Sequence, residues 1–123
     1  MPAMDRARFE RLVEEALASL PPDFRERLEN VAVIVEQTPS PRAARPHSRR
    51  GRLLLGLYEG RPLTERGWGY AAAFPDRITI YQANVEAVCA GEAEIREEVR
   101  RTVLHEVAHH FGIDDERLHD LGY

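Results

Sequence analysis

The stretch VLHEVAHHFGIDDERL, Val103 to Leu118, places three of the chain's five histidines within six residues and follows them with two aspartates. On a helix, residues four apart stand about 5–6 Å from each other at Cβ. His105 and His109 have that spacing, and two imidazoles so placed can converge on one ion with Zn–N bonds of about 2.0–2.1 Å. Glu106, one step on, flanks the ion without having to bind it, where it can take the proton of an activated water. His-Glu-x-x-His thus puts Lewis acid, nucleophile and general base on one helical turn. Accidental matches to so short a pattern are common, so its surroundings must carry weight.

Zinc enzymes usually hold the ion by three protein ligands and leave a fourth position open. Only fourteen residues follow His109, and Gly112 lets the chain leave the helix and turn back. Asp114, Asp115, Glu116 and His119 are the candidates for a third ligand. Asp114 has a competing structural task as the N-cap of a following helix, with Ile113 and Leu118 placed as a hydrophobic staple. Asp115, six residues beyond His109, is the first choice, with Glu116 and His119 as alternatives. His110 lies about 140° around the helix from His105 and is assigned a supporting or surface role. A His-His-carboxylate set also suits iron or nickel.

The elements that must hold this turn are legible in part. A helix from Glu92 to Phe111 ends at Gly112, a C′ residue. Val99, Val103, Leu104, Val107, Ala108 and Phe111 fill one half of its surface, and His105 and His109 occupy the other with Glu106 beside them. Phe9, Leu12, Val13, Ala16, Leu17 and Leu20 recur at helical spacing from Asp5 to Leu20, stopped by Pro21-Pro22. A short helical turn is expected at Phe24–Leu28 and another short helix at Asn84–Cys89. Val31–Val35, Leu53–Gly60 and Arg77–Gln82 read as strands, and Gly67–Phe74, with the sole tryptophan, is unassigned. Pro39–Arg52, with three prolines and five arginines, reads as a flexible solvated loop. The order of elements predicts one α+β domain over residues 1–123, a small mixed sheet packed against the N-terminal helix and the helix bearing the histidines.

Composition narrows the class. The 123 residues are 43% apolar and 31% charged, and all 17 basic residues are arginine. A net charge of −4 argues against nucleic acid as the main partner, and the arginines of Pro39–Arg52 have no interleaved aromatics for base stacking. Cys89 is the single cysteine, so no internal disulfide can form and a reducing compartment fits. The N-terminus carries charges throughout and reads as neither a signal peptide nor a membrane span. The expectation is a cytoplasmic protein with no membrane partner; its oligomeric state is left open.

HEVAHHFGIDD resembles the HExxHxxGxxH/D pattern of zincin metallopeptidases, with His105, Glu106, His109, Gly112 and Asp115 at the matching places. An aspartate in the last position resembles the snapalysin-type variant. The segments LLGLYEGRPLTERG, PDRITIYQ and EEVRRTVLHEVAHHFGIDDERLHDLG are similar to a family of small bacterial proteins, the minimal zincin-like metallopeptidases. The resemblance covers most of the chain from Leu53 onward. It implies a small sheet on helices, one Zn2+ on the His-Glu helix and Glu106 as catalytic carboxylate. The only methionines are Met1 and Met4, so the methionine turn of metzincins is missing, and no glutamate after Glu116 can act as a distant ligand.

The expected activity is zinc-dependent hydrolysis of a peptide or protein substrate. The substrate would pair with an edge strand supplied by Arg77–Gln82 or by Gly67–Phe74. Tyr70, Tyr81 and Tyr123 are candidates for oxyanion stabilisation. The alternative is a non-catalytic domain that keeps zinc for stability or for contact with another protein.

Overall fold

A computed structural model describes residues 4–26, 28, 31–48, 51–60, 76–113 and 115–120, without the side chains of Asp23, His47, Ser48, Asp115 and Leu118. The chain runs through α1 (Arg6–Ala18), α2 (Pro22–Glu26), β1 (Val31–Glu36), α3 (Pro41–Ser48), β2 (Gly56–Glu59), β3 (Asp76–Tyr81), α4 (Gln82–Ala87), α5 (Glu92–His110) and α6 (Asp115–Asp120). The α+β class read from the sequence is the one observed.

The three strands pair in the order β1-β3-β2. β1 runs parallel to β3, with Val33 opposite Ile78 and Val35 opposite Ile80. β2 runs antiparallel to it, with Gly56 opposite Ile80 and Tyr58 opposite Ile78. Alternation along each strand therefore sends Val33, Val35, Ile78 and Ile80 to one face. Against that face lie Phe9, Leu12, Val13 and Ala16 of α1 and Ile95, Val99, Val103 and Val107 of α5. Phe9 and the four α5 residues are fully buried, each worth roughly 1.5–3 kcal/mol of transfer free energy. Ion pairs from Arg8 to Glu92 and from Arg96 to Glu15 join α1 to α5 at the surface; such pairs contribute about 1 kcal/mol or less.

Three expectations change. The strand expected over Leu53–Gly60 is confined to Gly56–Glu59, although Tyr81 N still donates to Leu55 O at 2.9 Å. β3 lies between the other two strands, so Arg77–Gln82 offers no free edge; among the described residues β2 stands at the side of the sheet that meets α5. Gly67–Phe74 lies outside the described residues. Within the arginine-rich Pro39–Arg52 segment, Pro41–Ser48 is helical rather than a loop. The Ser40 hydroxyl accepts from Ala43 N at 3.1 Å, an N-cap, and Pro41 takes the first helical position, where its missing N–H costs nothing.

Helix α5 ends as its sequence predicts. Gly112 has φ +76°, while Gly112 N donates to His109 O and Ile113 N to Ala108 O, both at 2.9 Å. These are the paired bonds of a Schellman motif, and the left-handed residue between them is best served by glycine. No helix among the described residues is long and apolar enough to cross a membrane.

Cys89 sits half-buried at the edge of the core. Burial, and then the nearby Glu98 and Glu94 carboxylates, push its thiol pKa above the ordinary value. The thiolate is the reactive form. Alkylation by iodoacetamide at neutral pH should therefore run at least several-fold slower in the native protein than in urea, and should accelerate only at higher pH. Equal native and denatured rates, read by mass spectrometry, would contradict this placement.

Candidate metal centre

Helix α5 comes close to the sheet where one side chain is missing. A Cβ built on Gly56 would lie 2.7 Å from Thr102 Cγ2 and 3.2 Å from Glu106 Cγ. The glycine thus admits two successive turns of α5 directly onto the backbone of β2. Along that seam opens a cavity of about 370 Å³, whose walls include Leu54, Gly56, Tyr58, His105, Glu106 and His109.

His105, Glu106 and His109 therefore come together as their spacing requires. The two histidines are half-buried and Glu106 is 9% exposed. Glu106 Oε1 stands 3.3 Å from His109 Nδ1, so the carboxylate and the second imidazole share one corner of the cavity. Two ring nitrogens with a flanking carboxylate are a donor chemistry zinc accepts, and these residues fit the expected ion as part of its ligand set. Among the described residues, no group of three metal-type donors forms. Asp115 opens α6, but its side chain lies outside the described set, as does Asp114. Glu116 and His119 are exposed on α6.

The tyrosines expected to act on an oxyanion fare differently. Tyr70 and Tyr123 lie outside the described residues. Tyr81 is buried at 4% exposure, its phenol pKa raised by that burial and by Glu36 and Glu59. It is not among the cavity's described walls. Tyr58, which sequence reasoning passed over, does line the cavity; its position on a four-residue strand carried no local signal.

Of the two roles open to His110, supporting or surface, the structure favours the first. Its side chain is 3% exposed and its Nδ1 lies 2.8 Å from Asp76 Oδ2. The same oxygen accepts from the Tyr58 hydroxyl at 2.8 Å. A histidine pointing away from the ion-facing side of α5 is thus received by a carboxylate at the start of β3.

Residues 28–123 match the family described as zincin-like metallopeptidase. Among solved structures, the chain is similar to a conserved hypothetical protein from Thermo thermophilus, with 28% identity and a TM-score of 0.59, covering 88% of this chain and 94% of that one. No curated protein matches it.

Proposed function

The chain belongs to the zincin-like metallopeptidase family, and from that premise we propose that it hydrolyses peptide bonds with one zinc ion and with Glu106 as general base. The observation that carries the reading is the convergence of His105, Glu106 and His109 on one cavity beside β2. His105, His109 and, in our assignment, Asp115 would hold the zinc, which would supply a Lewis acid to polarise a carbonyl and to bring the pKa of a water down towards neutrality.

The chain's own groups do the rest. Glu106 projects from the same turn as the donors, so its carboxylate can receive a proton at the reacting centre and return it to the leaving amine. The absence of a side chain at Gly56 lets that turn lie close against β2. Gly56, Leu57 and Tyr58 of β2 line the cavity, and we place an extended peptide substrate along that strand, paired through its backbone. A reducing, bacterial cytoplasm is part of the proposal, resting on the single Cys89 and on the family resemblance.

Metal content and cleavage test it together. Freshly purified protein should carry about one zinc per chain and lose most of it on Asp115→Ala, while a mixed peptide library should show zinc-dependent cleavage. Protein that holds zinc but cleaves nothing would favour a non-catalytic zinc-binding domain. Protein that holds no divalent metal would remove both readings.

A further inference from the structure

Behind the cavity lies a buried polar cluster that the reaction above does not use. Asp76 Oδ2 receives two donors, the Tyr58 hydroxyl and His110 Nδ1, each at 2.8 Å. Asp76 and His110 are 1% and 3% exposed at their side chains. The His110 ring stands edge-on to Tyr58 and to Phe111, with centroid separations of 5.6 and 5.3 Å. Phe111 in turn stacks on Phe24 at 4.9 Å. Gly60, with φ +150°, follows β2 directly against the cluster, where any Cβ would collide with Asp76 Oδ1 and crowd the Tyr58 hydroxyl.

The connectivity is what matters. Tyr58 belongs to β2 and lines the cavity. His110 is the chain neighbour of His109 on the last turn of α5, and Asp76 opens β3. One carboxylate oxygen therefore ties the strand beside the cavity to the turn that carries the second imidazole. Apolar packing could hold an ordinary helix end, and a buried hydrogen-bonded network adds geometric definition instead. Metal donors require such definition, to within about 0.5 Å.

We propose that Asp76 and His110 are positioning residues for the metal centre: their buried hydrogen bond holds the last turn of α5, and with it His109, in register with β2. The role rests on His105 and His109 being the donors.

The test is the zinc affinity of the full chain, measured by competition with a chromophoric chelator at a temperature where circular dichroism shows every variant folded. His110→Phe keeps a ring between Tyr58 and Phe111 but removes the hydrogen bond. It should weaken zinc binding several-fold, up to the about 10–100-fold that follows loss of a group bonded directly to a metal ligand. Asp76→Asn should fall between this variant and wild type, because an amide oxygen in the place of Oδ2 can still accept both bonds but without the charge that strengthens them. It also carries the test should His110→Phe not fold. A variant that melts earlier yet binds zinc as tightly as wild type would reduce the cluster to fold support and overturn the positioning role alone. A wild-type chain that binds no zinc would overturn the reading of the centre, and this role with it.

Discussion

Glu106→Gln should lower peptide hydrolysis about 10²–10⁴-fold, the range for loss of a general base, equivalent to about 2.7–5.5 kcal/mol of barrier. Zinc content should be unchanged and the melting temperature close to wild type. The substitution keeps the shape of a nearly buried side chain, including its γ-carbon against β2, and removes only the capacity to accept a proton. The amide oxygen can still face His109 Nδ1, which stands 3.3 Å from Glu106 Oε1. Two outcomes would sink the assignment. Full activity would show that another group takes the proton, and loss of zinc would show that Glu106 is a ligand.

The second large effect is expected at a residue with no functional atoms. Gly56→Ala introduces a methyl group 2.7 Å from Thr102 Cγ2, 3.2 Å from Glu106 Cγ and 3.3 Å from Thr79 O. β2 is held by its pairing to β3, so the relief must come from α5. Overpacking of this kind costs about 1–3 kcal/mol, visible as a lower urea midpoint. The turn that yields carries Glu106, and a displacement of about 1 Å at a reacting group can cost about 10²-fold in rate. Combining Gly56→Ala with Thr102→Ser removes the closest clash but leaves the one with Glu106. Stability should then recover more than activity. If Gly56→Ala is neutral in both assays, α5 does not approach β2 as described.

Much of this arrangement was legible in local pattern. α1 and α5 declare themselves by apolar residues at helical spacing, β1 by its β-branched run, and β3 by strict alternation through Ile78 and Ile80. Gly112 announces its own turn. The three residues of the His-Glu turn were readable because four-residue spacing is a property of any helix. What escaped were relations between distant parts. That β3 separates β1 from β2 follows from pairing, so the strand that borders the cavity could not be read from the one with the clearest signal. Asp76 stands 34 positions before His110, and no periodicity links them. α3 was hidden by its prolines, which usually mark loops; here Ser40 supplies the cap and Pro41 the first position, and the composition misleads. Asp115 remains a reading of spacing and family resemblance.

The shortness of β2 bears on which proteins the proposed hydrolase would attack. Four residues of strand offer about 13 Å of main chain, and docking there consumes the partner's own amide and carbonyl groups. A segment already engaged in a native helix or sheet cannot present them without local melting, which pairing over four residues supplies little binding energy to drive. Well-folded proteins should therefore resist it, whereas frayed tails, nascent stretches and heat-damaged polypeptides would meet the requirement at once.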